Sequence, residues 1–181
     1  MDKLRIDASG LILVAFAFLI LPLEWLISAV LAAGLHEMGH YLSAKLMRIP
    51  VFSVSVSASG CRMDTGPMSK MQEVICASAG PLVSLALYPI SRWMPILGLC
   101  GLVQGLFNLL PVYPMDGGRI LRAAAGERAS EIVSLITSSV LVGMGIYLTF
   151  FQNIGPIPAL VSLIILSKQN ISCKSGKLTV K

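Results

Sequence analysis

Residues 35–40 read LHEMGH, lie within a long apolar stretch and include both histidines of the chain. Residues four apart lie on one face of an α-helix, so two imidazoles at this spacing can hold one metal ion. His-Glu-x-x-His on a helix is typical of a zinc site with the glutamate as general base. Burying these groups is costly unless they share a task, which argues against a chance match. We therefore predict that His36 and His40 bind zinc beside Glu37.

The composition is that of a membrane protein. Of 181 residues, 55% are hydrophobic and 13% are charged, whereas soluble domains carry about 25% charged residues. The length indicates a single domain, residues 1–181. The net charge is +5, but the basic residues are scattered and lack interleaved aromatics, so no nucleic-acid partner is expected. The four cysteines form no C-x-x-C pair, and no disulfide framework is predicted.

Apolar segments alternate with polar or proline-containing breaks along the whole chain. The six candidate membrane segments are residues 9–21, 25–47, 71–90, 95–110, 132–151 and 156–167. The last is short for a hydrocarbon core of about 30 Å. We predict an α-helical polytopic membrane protein with about six transmembrane helices, a polar interfacial stretch at 119–131 and a short cytoplasmic tail at 168–181.

The distribution of basic residues predicts the topology. With a cytoplasmic N-terminus and six spans, all of the 14 Lys and Arg residues except Arg92 face the cytoplasm. Positive charge concentrates on the cytoplasmic side of membrane proteins. We therefore expect a multi-pass protein of the cell membrane with both termini in the cytoplasm.

Serine and apolar residues alternate along residues 51–59, which predicts a strand with one apolar face. Gly60 allows a turn, and residues 61–64 are expected to return as a short second strand. The result would be a small membrane-associated hairpin at 51–64. An open edge of its first strand could accept an extended peptide; the alternative is a strand that serves only packing.

Two further patterns describe local helix structure. Ser69 and Gln72 form a capping box that predicts the start of a helix. Gly101 and Gly105 form a Gly-x-x-x-Gly pair, which is typical of a close-packing face between membrane helices.

A third zinc ligand is required, because catalytic zinc sites usually have three protein ligands and one water. No third histidine exists. Asp116 is the favoured candidate, since it lies in PVYPMDGG, residues 111–118, an apolar stretch broken by proline and glycine. The alternatives are a turn aspartate that precedes Gly-Gly, or Cys61 or Cys76 as the ligand.

The expected depth in the membrane also favours Asp116. His40 precedes Lys45 by five residues, which is about 7 Å along a helix. Asp116 precedes Arg119 by three residues. Under the predicted topology both side chains lie just inside the cytoplasmic face.

His-Glu-x-x-His in an apolar helix, followed by Asn-x-x-Pro-x-x-x-x-Asp-Gly, resembles the site-2 protease family of intramembrane zinc metalloproteases, peptidase family M50. The matching residues are His36, Glu37, His40, Asn108, Pro111, Asp116 and Gly117. The resemblance covers roughly residues 30–125 and is greatest to the small sporulation stage IV factor B-like branch, which implies a bacterial origin. Residues 51–69 are few for a PDZ domain and the tail is short for a CBS domain, so we expect neither domain in this chain.

The resemblance and the spacing together suggest roles for these residues. One Zn²⁺ per chain would be held by His36, His40 and Asp116, with Glu37 as general base. Asn108 would contact the substrate backbone or the developing oxyanion, or else make an interhelical polar contact. Loop residues expected to shape the site are Pro111, Pro114 and Gly117.

The implied activity is hydrolysis of peptide bonds in transmembrane substrate segments near the cytoplasmic face. The expected partners are a transmembrane protein or signal-peptide substrate, membrane lipid and a regulatory membrane protein. The alternative is a zinc-binding membrane protein that does not cut: a transporter, a scaffold or an inactive protease. A transporter would place polar residues along several spans, and a structural zinc site would need a fourth ligand.

Overall fold

The computed structural model describes residues 3–57 and 60–150. The chain divides into two compact units, Met1–Asn108 and Leu109–Lys181. The segment predicted as a sixth span at 156–167, the tail at 168–181 and the last two residues of the strand predicted at 51–59 lie outside the described residues.

The first unit contains a small sheet and four α-helices. Its elements are β1 Lys3–Ile6, α1 Ala8–Ile20, α2 Leu23–Leu46, β2 Val51–Ser57, β3 Gly60–Thr65, α3 Lys70–Ala86, a 3₁₀ helix Tyr88–Arg92 and α4 Pro95–Asn108. Pro22 lies between α1 and α2, as its lack of a backbone N–H predicts. The predicted capping box opens α3: the Ser69 hydroxyl accepts from the Gln72 N–H, and the Ser69 N–H donates to the Gln72 side chain.

The predicted hairpin at 51–64 is present, but its surroundings differ from the prediction. β2 pairs antiparallel with β3, with Val56 opposite Cys61. On its other side β2 pairs in parallel with β1, with Lys3 opposite Ser53. The prediction of an open strand edge along 51–59 is therefore wrong, because β2 is the central strand of the sheet. The sequence did not reveal β1, because four residues are too few to show a clear alternation.

The apolar side of β2 is the more exposed one. Phe52 and Val56 lie on the surface, whereas the serines on the opposite side are partly buried and bond to β3. Ser53 Oγ donates to Asp64 Oδ2 over 2.6 Å, and Ser55 Oγ donates to the Arg62 carbonyl. An exposed apolar face is consistent with a sheet that lies against lipid.

Helices α2, α3 and α4 pack together through glycines. A Cβ atom at Gly39 of α2 would lie 2.8 Å from the Ala79 carbonyl of α3. A Cβ atom at Gly101 of α4 would lie 2.7 Å from the Ser84 carbonyl of α3. Gly101 and Gly105 are buried against α3, which confirms the predicted close-packing face. These approaches bring three backbones close enough to build a site between the helices.

The second unit contains α5 Asp116–Ala125 and α6 Glu127–Phe150. The predicted polar stretch at 119–131 is therefore divided between two helices. Gly126 separates them with a φ of 89°, a conformation that glycine adopts without a steric penalty. Serines of α6 hold the loop before α5: Ser134 Oγ accepts from the Tyr113 N–H over 3.1 Å and donates to the Pro111 carbonyl over 3.2 Å.

Among the described residues, two helical segments are long and apolar enough to cross a membrane. They are Lys70–Arg92, which joins α3 to the 3₁₀ helix, and Glu127–Phe150. α1 and α4 are apolar but shorter. Helix α2 has 24 residues, like α6, but it carries the polar residues of the site. The fold is thus mostly helical with a three-stranded sheet.

Candidate metal centre

His36 and His40 lie one turn apart on α2, and both are buried. Their rings meet edge to face, with the centroids 4.9 Å apart and the planes at 80°. The two Nε2 atoms are 3.2 Å apart. A tetrahedral zinc with bonds of about 2.0–2.1 Å holds two ligand nitrogens about 3.3 Å apart. The histidine pair therefore has a nitrogen spacing that suits zinc, and the ligand roles of His36 and His40 stay predictions.

Helix α3 holds both rings through their Nδ1 atoms. His40 Nδ1 lies 2.7 Å from the Cys76 carbonyl, and His36 Nδ1 lies 2.9 Å from Ser84 Oγ. A carbonyl oxygen can only accept, so His40 Nδ1 carries the proton and, in the neutral ring, Nε2 keeps its lone pair. Such contacts orient metal-binding histidines in proteins. The sequence pattern did not reveal these partners, because they are 36 and 48 residues away.

Gly80 of α3 makes room for the His40 ring. A Cβ atom at Gly80 would overlap the imidazole at Nε2, Cε1 and Cδ2. Because any side chain at this position would push the ring away, glycine is required here for the metal-binding nitrogen to face His36.

Glu37 lies beside the histidines on α2 and is half-buried. Its side chain hydrogen-bonds to the Cys61 thiol of β3. Burial, with a smaller contribution from the Glu37 charge and this bond, raises the pKa of the Cys61 thiol to about 12. Glu37 directly follows His36 on α2, and its role as general base stays a prediction.

The alternative cysteine ligands are used in other ways. Cys61 contacts Glu37, as described. Cys76 Sγ lies 3.6 Å from the His40 carbonyl, which accepts its thiol hydrogen bond. Neither contact favours a cysteine as the third ligand.

Asp116 begins α5 in the second unit and is buried. Its Oδ1 lies 3.5 Å from Arg119 Nη1, a partly exposed neighbour one turn along the helix. Gly117 and Gly118 allow the loop to pass over this helix end, since a Cβ atom at either would overlap loop backbone. The shaping roles of Pro111 and Gly117 and the ligand role of Asp116 stay predictions.

Asn108 is the last residue of α4. Its Nδ2 donates to the Gln104 carbonyl of the same helix over 3.1 Å. In this arrangement the amide serves its own helix end, and a contact with substrate would require it to turn away. The predicted role in substrate or oxyanion binding therefore remains a prediction.

Comparisons with known proteins point to one family. The sequence model of Peptidase family M50 matches residues 63–152. A zinc metalloprotease of Methanocaldococcus jannaschii is 32% identical over 150 residues, covering 72% of this chain and 44% of that protein. A putative zinc metalloprotease of Synechocystis is 30% identical over 126 residues, covering 61% and 33%. These matches cover less than half the length of either relative.

The solved structure of a site-2 protease from Methanocaldococcus jannaschii has the same fold. It aligns with a TM-score of 0.65 and 24% identity over 92% of this chain and 88% of that one. The fold and the apolar helices define a mostly helical membrane protein with a buried histidine pair. The family-model match, the relatives and the shared fold support the site-2 protease family, Peptidase family M50.

Gly80→Ala tests the placement of His40. The new methyl group would displace the imidazole, so we expect zinc affinity to fall by about tenfold or more. Chelator competition on the purified protein in detergent measures this affinity. Gly34→Ala is the matched control, because a Cβ atom at Gly34 of α2 has no neighbour within 4 Å. Wild-type affinity in Gly80→Ala would contradict this arrangement.

Proposed function

We propose that the chain is an intramembrane zinc metalloprotease that hydrolyses peptide bonds in transmembrane segments near the cytoplasmic face. The observation that carries this proposal is the pair of Nε2 atoms at 3.2 Å with Glu37 next to them on the same helix. The match to Peptidase family M50 and relatives named zinc metalloproteases support the same activity. No described contact favours the non-proteolytic alternative.

In this proposal zinc is held by His36, His40 and Asp116. The nitrogen spacing of the histidines supports the first two ligands. Asp116 is supported by its burial, by its carboxylate chemistry and by its place in the motif at residues 108–117. Three protein ligands leave one position for water, which a hydrolytic site needs.

The chain's residues then have distinct tasks. Bound zinc would lower the pKa of a water and polarise the scissile carbonyl. Glu37 accepts the proton of that water and passes it to the leaving amine. Asn108 releases the Gln104 carbonyl and donates its amide to the substrate backbone or the developing oxyanion.

The substrate is a transmembrane protein or a signal-peptide remnant, and a membrane partner controls its delivery. The exposed apolar residues of α1 and α6 support the proposal of a membrane substrate. Since a helical substrate has no accessible peptide bond, it must unwind before Glu37 and the bound water can act. Regulated intramembrane proteolysis, in sporulation or in another pathway, is the process this activity serves.

The Glu37→Gln variant tests whether Glu37 acts in cleavage without being needed for zinc binding. Glutamine keeps the shape of the side chain but cannot accept the water proton, so we expect cleavage to fall by about 10²-fold or more. Zinc content should stay near that of the wild type. Cleavage is measured by co-expression with single-span membrane proteins, and zinc by metal analysis of the purified protein. Normal cleavage by a zinc-loaded Glu37→Gln protein would exclude the general-base role.

Asp116→Ala tests the third ligand. Loss of an oxygen ligand should weaken zinc binding by more than tenfold, since loss of a residue that only supports a ligand already costs about 10–100-fold. Asp64→Ala is the matched control, because Asp64 is an exposed carboxylate on β3. If Asp116→Ala binds one zinc per chain with wild-type affinity and still cleaves, Asp116 is not a ligand.

We also propose six spans, with both termini in the cytoplasm of a bacterial cell; the positions of the basic residues support this topology. The test labels single cysteines in intact cells with a membrane-impermeant maleimide, after the native cysteines have been replaced by alanine. Arg92→Cys should react from outside, and Lys45→Cys only after permeabilisation. The opposite labelling pattern would reverse the topology.

A further inference from the structure

Ser84 of α3 lies against the metal-binding helix. Its side chain is fully buried, and its Oγ lies 2.9 Å from His36 Nδ1. Ser84 lies two turns along α3 from Cys76, whose carbonyl holds His40. The same face of α3 therefore contacts both rings, once through a backbone carbonyl and once through a hydroxyl.

Helix α4 fixes the position of Ser84 from the other side. A Cβ atom at Gly101 would lie 2.7 Å from the Ser84 carbonyl, and one at Gly105 would lie 3.2 Å from the Ser84 Cβ. These glycines place α4 backbone directly behind the serine. Ser84 is consequently held between α4 and His36, and its backbone has little room to withdraw.

The two Nδ1 contacts differ in what they permit. The Cys76 carbonyl only accepts, so it allows a single tautomer of neutral His40. The Ser84 hydroxyl can donate or accept, so it allows either tautomer of His36. A metal on His36 Nε2 requires the tautomer with the proton on Nδ1, and the hydroxyl then accepts that proton's hydrogen bond.

We propose that Ser84 is a positioning residue of the metal centre: its hydroxyl accepts from His36 Nδ1–H and holds Nε2 towards the metal. The proposal rests on the proposed zinc site but makes a separate claim about one contact. In Ser84→Ala the Nδ1–H has no acceptor at this point, and the ring loses the contact that sets its orientation.

The test compares Ser84→Ala with Ser78→Ala, a change in the same helix where the hydroxyl bonds only its own backbone, at Val74. Zinc affinity is measured by chelator competition, and the ligand geometry by the visible spectrum of the Co²⁺-substituted protein. We expect Ser84→Ala to bind zinc about tenfold more weakly and to shift the Co²⁺ spectrum. Ser78→Ala should match the wild type.

A second readout does not depend on activity or on metal affinity. The chain has two histidines, so ¹⁵N-histidine labelling gives four ring-nitrogen signals, which His40→Ala assigns. In the zinc-loaded protein we expect Ser84→Ala to change the His36 signals and to leave those of His40 in place.

The outcomes distinguish this inference from the proposed function. Absence of zinc binding in the wild type would refute the zinc site itself, and with it this role of Ser84. Wild-type affinity, Co²⁺ spectrum and ring-nitrogen signals in Ser84→Ala would overturn the positioning role alone. Equal changes at both histidines, together with a lower unfolding temperature, would show a general packing role and overturn it too.

Discussion

The burial of two histidines on one apolar helix is the constraint on which the rest of the structure depends. A buried polar group without a hydrogen bond costs several kcal/mol in hydrocarbon. Each ring has two nitrogens, and α3 contacts one of each pair through Cys76 and Ser84. The other two nitrogens face each other at 3.2 Å. That spacing suits an N–H···N hydrogen bond when His36 carries its proton on Nε2, and it suits a shared cation when both Nε2 atoms keep their lone pairs.

This constraint explains why glycine recurs at the contacts between α2, α3 and α4. The hydrogen bonds to His36 and His40 form only if α3 comes close to α2. Gly39 allows that approach at the backbone, and Gly80 provides the space that the His40 ring occupies. Gly101 and Gly105 extend the same close packing to α4. In lipid the hydrophobic effect does not drive helices together, so their association depends on the close van der Waals packing that small residues allow.

The features that the sequence predicts correctly are those set by residues close together in the chain. The His-Glu-x-x-His face, the capping box at Ser69 and the 51–64 hairpin follow from helix or strand period, and the structure contains all three. The partners of the rings, the β1 strand and the closed edge of β2 depend on residues tens of positions apart. A pattern search has no access to such contacts, and the substrate edge expected at β2 was wrong for that reason. Asp116 was reached by elimination among few carboxylates, helped by the motif around it.

The site also separates residues that are held firmly from one that is held weakly. The histidines are buried and held through short contacts of 2.7 and 2.9 Å, which suits the ligand role proposed for them. Glu37 is half-buried, and its described partner is a thiol, which is a weak hydrogen-bond donor. A general base has to exchange its partner for water, collect a proton and release it at a second atom. A thiol partner holds the carboxylate near the histidines at little cost to that exchange, because a weak bond is lost when water arrives.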